Sequence, residues 1–180
     1  MSIVGHFIIF GLLTVMSLKT IAGSSKLQHK LYEDVYENFQ DKTTQKPKSI
    51  IKLKEIGAKY PIVIVNFWAS WCTPCLKEFK GMNELIKKYG KEKIYILGIN
   101  EDQEKALQEI KQVEKKQQLQ FESISDVGHK YQNQFGINSL PTTIIFSKGK
   151  VIYVNYEYTD FLEKKLLLLI EQNLQIKLTK

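Results

Sequence analysis

Cys72 and Cys75 are the only cysteines in a chain of 180 residues, and two residues, Thr73 and Pro74, separate them. A thiol pair at this spacing can exchange with a disulfide. One thiolate attacks a target sulfur, and the second thiol, one helical turn on, attacks the mixed disulfide and frees the product. The reaction needs a stabilised thiolate, which a helix N-terminus provides through its free N–H groups and its dipole. Cys72, at the start of the segment, is the expected attacker and Cys75 the expected resolver. Thr73 and Pro74 carry no charge, and proline is tolerated in a first helical turn because its missing N–H would have no partner there.

Other chemistries use cysteine pairs. A zinc site asks for four ligands, and this pair supplies two; His6, His29 and His129 lack ligand-pair spacing. Haem attachment requires histidine after the second cysteine, and Leu76 stands there. A purely structural disulfide closing so short a loop would stabilise little. A peroxidatic cysteine is a closer rival, although Ala69 occupies the place of its usual threonine.

The pair must be held by the elements around it. Before it lies a β-branched run, Ile62 to Phe67, that barely alternates and reads as a strand buried on both faces. After it, Leu76, Phe79, Met82, Leu85, Ile86 and Tyr89 recur at helical spacing, predicting a helix over 73–89 that stops at Gly90. The dithiol therefore falls at a strand-to-helix turn. Further along, a strand is expected over 93–99, a helix over 101–119 and a short helix over 126–135. Strands over 142–146 and 151–155 flank a glycine-containing turn. A last helix, capped by Asp160, is expected to run to Leu174. Upstream, residues 24–31 read as a polar linker, 31–39 as a strand and 41–47 as a polar turn. Ile50 to Gly57 reads as a short helix. Strands separated by helices imply parallel neighbours, and the closing hairpin adds antiparallel ones. The expected fold class is α/β, a mixed central sheet with helices on both faces.

Composition suits one globular domain: 43% of residues are hydrophobic and 11% aromatic. The net charge is +7, carried entirely by lysine without arginine. Lysine is interleaved with glutamate, as in Glu101 to Lys116, so the pattern is that of a solvated surface and not of a nucleic-acid partner. The first residues form a separate unit. An apolar run from Ile3 to Leu18 is followed by Thr20, Ala22, Gly23, Ser24 and Ser25. Residues 1–23 read as a signal peptide cleaved near Ala22 or Gly23, or as an uncleaved membrane anchor, with the domain over 24–180. Lys19, Lys26 and Lys30 after the run oppose export on the positive-inside argument. The small residues favour it, and an extracytoplasmic or periplasmic location, secreted or membrane-anchored, is the expectation.

Two segments in the same order resemble the thioredoxin-like thiol–disulfide oxidoreductases of the TlpA/ResA type. Asn66-Phe67-Trp68-Ala69-Ser70-Trp71-Cys72-Thr73-Pro74-Cys75 is similar to that family's active-site strand and turn. Phe135-Gly136-Ile137-Asn138-Ser139-Leu140-Pro141-Thr142-Thr143 is similar to its loop with a cis-proline, about 65 residues further on. The resemblance spans roughly residues 31 to 175 and implies a thioredoxin fold. It implies that Pro141 packs beside the dithiol and that the Leu140 backbone pairs with an incoming peptide. Trp71, Thr73 and Pro74 would complete the docking surface, with Trp68 in the core. Lys77-Glu78-Phe79 is similar to the stretch that follows the motif, which implies that Glu78 tunes proton transfer near the thiols. Asn66 stands where thioredoxin carries a buried aspartate. The implied substrates are protein disulfides, apocytochrome c among them, with a membrane or thioredoxin-type electron donor and no cofactor or metal. A non-catalytic binding module and a thiol peroxidase are the alternative readings.

Overall fold

The computed structural model describes residues 12–41 and 50–175. Expectations placed on residues 1–11, and most of the turn expected over 41–47, lie outside the described residues; so do the side chains through Ser24. In chain order the elements are α1 (Leu12–Asn38), β1 (Gln40–Asp41), β2 (Ile51–Lys52), α2 (Leu53–Lys59), β3 (Ile62–Trp68), α3 (Thr73–Tyr89) and β4 (Ile94–Asn100). They continue with α4 (Ala106–Gln117), β5 (Glu122–Ser125), α5 (Lys130–Gln134), β6 (Thr142–Ser147), β7 (Lys150–Asn155) and α6 (Lys164–Asn173). β1 and β2 form a small antiparallel pair.

The main sheet has five strands in the order β5-β4-β3-β6-β7. β3 runs parallel to β4, which runs parallel to β5, while β6 is antiparallel to both β3 and β7. Every residue of β3 is buried. Its alternate side chains enter two cores. Ile62, Ile64 and Trp68 pack with α3, α4 and α6 through Phe79, Met82, Ile110, Leu166 and Ile170. Val63, Val65 and Phe67 pack on the opposite face with α1, α2 and α5 through Tyr32, Tyr36, Leu53 and Tyr131. Helices thus cover both faces of a mixed sheet, as expected.

Four local expectations are corrected. Residues 24–31 and 31–38 are helical, parts of α1, and not a linker and a strand. Tyr32, Val35, Tyr36 and Phe39 are all buried, a spacing of three and four that suits a helix face; treating the tyrosines as polar hides it. The edge beside β4 is instead filled by β5, whose one large apolar residue, Ile124, gives it no strand signature in the sequence. α2 does not end at Gly57 but passes through it to Lys59. A Cβ at Gly57 would overlap the Tyr36 hydroxyl, so glycine permits the close approach of α1 and α2. α6 starts at Lys164, with Glu163 in the capping position. Asp160 shapes the preceding turn, its Oδ1 accepting the Leu162 N–H at 2.9 Å.

α4 and α5 are also shorter than expected. Residues 101–105 form a loop after β4, and Asp126 lies ahead of α5, where its carboxylate accepts the Tyr131 and Gln132 amides at 2.9 and 2.7 Å. Among the described residues no helix is long and apolar enough to cross a membrane.

Candidate active site

β3 delivers the chain to a tight turn at the N-terminus of α3. The Cys72 N–H donates to the Ala69 carbonyl at 3.1 Å, closing the turn. Cys72 is the residue capping α3, and its Sγ accepts the Cys75 N–H at 3.3 Å. The sulfur therefore occupies the place of the usual capping oxygen, against a free amide of the first turn. Cys72 and Cys75 are joined in a disulfide, with their Cα atoms 5.3 Å apart. Cys72 retains 5% exposure and Cys75 none. Cys72 is thus the outer and Cys75 the inner member of the pair. Thr73 and Pro74 are exposed, and Pro74 sits in the first turn of α3. Trp71 projects outward with 71% of its surface exposed, whereas Trp68 is fully buried.

Pro141 arrives from the other side of the sheet. The β3–β6 register sets Phe67 opposite Thr142, so Pro141 directly precedes β6 beside the end of β3. The Leu140–Pro141 peptide is cis. Pro141 is buried, and half-buried Leu140 packs against the core cluster that contains both cysteines.

Glu78 lies one turn beyond Cys75 and is 1% exposed. Burial disfavours its charge and pushes its pKa from 4.5 up to about 7, against the opposing effect of hydrogen bonds from Thr159 and Asn66. The Thr159 N–H donates to Oε1 at 2.6 Å and Asn66 Nδ2 donates to Oε2 at 2.8 Å. Asn66 Nδ2 also reaches Thr143 Oγ1, at 3.0 Å. A carboxyl group whose pKa lies near neutrality can take up and return a proton. Nothing in the local sequence pattern singles out Thr159 as a partner of Glu78, since it lies in an irregular loop 81 residues away. That loop is tied in turn to the proline loop, through the Ser139 hydroxyl donating to the Tyr156 carbonyl at 2.9 Å.

His129, expected at the surface, has a 45% exposed side chain, with Nδ1 2.9 Å from Glu101 Oε2. Glu101 is buried, and its pKa is pushed up to about 9 by burial and by the nearby Asp126 and Asp102 carboxylates.

The sequence profile of the AhpC/TSA family matches residues 32–154, more than half of the chain. The chain belongs to the AhpC/TSA family. Among curated relatives, the thiol-disulfide oxidoreductase ResA of Bacillus cereus (strain ZK / E33L) is 35% identical over 103 residues, 57% of each chain. The match thus spans little more than half the length of that relative. Among solved structures, a secreted Mycobacterium tuberculosis disulfide oxidoreductase homologous to E. coli DsbE superposes with a TM-score of 0.61 at 14% identity, covering 77% of this chain and 98% of that one. StoA from Bacillus subtilis superposes with a TM-score of 0.57 at 21% identity, covering 73% and 94%. These structural matches establish the thioredoxin fold for this AhpC/TSA member.

Proposed function

We propose that the protein is an extracytoplasmic thiol–disulfide oxidoreductase that reduces disulfides in other proteins. The observation that carries the reading is the Cys72–Cys75 disulfide at the head of α3, its outer sulfur against the Cys75 amide and its inner sulfur fully enclosed. In the reduced enzyme the Cys72 thiolate attacks one sulfur of a substrate disulfide. That bond breaks, a substrate thiolate leaves, and a mixed disulfide forms. Cys75 then gives up its proton and attacks Cys72 Sγ, releasing the second substrate thiolate. Two electrons have passed to the substrate, and the chain is left in the oxidised state described above. A membrane or thioredoxin-type dithiol donor restores it.

Glu78 is the group assigned to accept the Cys75 proton, because its carboxyl is poised near neutrality and Asn66 cannot serve as a base. Trp71, Thr73, Pro74 and Leu140 form the docking surface beside Pro141. The neutral Thr-Pro dipeptide, which lacks the histidine that lowers the thiol pKa in strongly oxidising relatives, supports the proposed reducing direction. Apocytochrome c and other envelope proteins are the proposed substrates, by similarity to ResA. The apolar leader over 1–23 and the secreted relative support the location.

The test is dithiothreitol-driven reduction of a model protein disulfide. Cys72→Ser is expected to abolish turnover, and Cys75→Ser to trap substrate as a covalent adduct. If neither substitution alters the rate, the proposal fails. Rapid consumption of hydrogen peroxide by the reduced protein would favour the peroxidase reading instead.

A further inference from the structure

Ser70 lies two residues before Cys72, and both of its hydrogen-bond donors end on one carboxylate. Its N–H donates to Asp102 Oδ2 at 3.0 Å and to Oδ1 at 3.3 Å, and its hydroxyl donates to Oδ1 at 3.1 Å. Asp102 is 6% exposed and is held in turn. Asn100 Nδ2 donates to its Oδ2 at 2.8 Å, and its own N–H donates to Asn100 Oδ1 at 3.2 Å. The backbone beside it is anchored as well. The Glu101 N–H donates to the Trp68 carbonyl at 2.9 Å and the Asp126 N–H to the Asn100 carbonyl at 2.8 Å. The end of β4 therefore grips the end of β3 at the residues that lead into the dithiol turn.

We infer that Asp102 is a positioning residue for the attacking thiol: by clamping Ser70 it holds the turn from Ala69 to Cys72, and with it the alignment of Cys72 Sγ on the Cys75 amide. Ala69 and Cys72 close the turn around Ser70, so freedom gained at Ser70 passes to both ends of it. Hydrogen bonds to a charged acceptor are stronger than neutral ones and lose energy steeply with misalignment. The ionisable groups around the clamp are Glu101, Asp126 and His129. Burial and the neighbouring carboxylates raise the Glu101 pKa, which limits repulsion beside Asp102.

The inference rests on Cys72 being the attacking thiol, and the experiment separates the two claims. The reduced full-length protein is alkylated with iodoacetamide across a pH series, and the labelled cysteine is identified by peptide mapping. Labelling of wild-type protein at Cys75 and not at Cys72 would overturn the proposed function itself. With Cys72 labelled, Asp102→Ala is expected to move the midpoint of the profile upward by about 0.5 pH unit, a thiolate about threefold less favoured. Asp102→Asn is expected to return it close to wild type, because the amide oxygen can accept from Ser70 and Asn100 while the amide nitrogen donates to the Ser70 hydroxyl.

A folded Asp102→Ala protein with an unshifted midpoint overturns the clamp. So does a downward shift of similar size in both variants, since loss of the nearby negative charge by itself favours the thiolate and that result assigns the effect to charge and not to position. Should Asp102→Ala fail to fold, Ser70→Ala decides. It removes only the hydroxyl bond, and a smaller upward shift supports the clamp while no shift overturns it.

Discussion

Glu78→Gln offers a thermodynamic test of the buried acid that is independent of turnover. In the folded chain burial raises the Glu78 pKa from 4.5 to about 7. The folded state thus holds this proton more tightly than the unfolded state does. The resulting stabilisation is fully present below about pH 4.5 and is lost as pH rises through about 7. One pKa unit corresponds to about 1.4 kcal/mol, so the loss across this window amounts to about 3 kcal/mol from Glu78 alone. Glutamine resembles the protonated acid and has no proton to lose. Its Oε1 can keep the Thr159 amide, and Asn66 can turn its Oδ1, which has no partner in the wild-type arrangement, toward the new NH₂ group.

The assay is urea unfolding of the oxidised wild-type and Glu78→Gln proteins, at about pH 4.5 and about pH 8. Any constant effect of the substitution cancels when each protein is compared with itself, and other titrating groups cancel between the two proteins. Relative to wild type, the variant should gain about 3 kcal/mol on passing from the acidic to the alkaline condition. Parallel pH dependences would refute the reasoning, because they would mean that Glu78 ionises alike in the folded and unfolded chain.

Three further substitutions probe the proposed docking surface and the packing beneath the site. Trp71→Ala should leave urea stability within about 0.5 kcal/mol, since the ring is mostly exposed, yet raise KM for a protein disulfide while sparing a small-molecule disulfide. Phe79 is fully buried between Trp68 and Phe121, with ring centroids 5.1 and 5.6 Å away. Phe79→Ala should therefore lower unfolding free energy by about 3–5 kcal/mol in urea titration. Gly98→Ala would drive a methyl group into the Ser123 hydroxyl and to 2.9 Å from Trp68 Nε1. A lower thermal midpoint, from a loss of about 1–3 kcal/mol, is expected, and an unchanged midpoint would show that the β4–β5 edge yields freely.

Much of the site was legible along the chain because its parts are local. A strand, a turn and a helix that follow one another must place Cys72 at the helix start, whatever the rest of the molecule does. The apolar rhythm from Leu76 to Tyr89 was enough to delimit α3, and the glycine-containing turn announced the β6–β7 hairpin. At α1 and β5 the assignments failed because polar-looking residues are buried there. Tyr32 and Tyr36 belong to a core face, and β5 is a short strand recruited by its neighbour β4.

Chain order alone determined the chemistry available: two thiols one turn apart at a strand-to-helix junction, with a proline segment far downstream. Only the tertiary structure decided what is packed around them. Glu78 could as well have faced water from α3; its enclosure by Asn66 and Thr159 arises from contacts 12 and 81 residues distant. The Asp102 grip on Ser70 likewise exists because β3 and β4 lie side by side. Helical periodicity specifies which side chains share a face, but the desolvation and hydrogen bonding that set a proton's affinity depend on what the fold brings against that face.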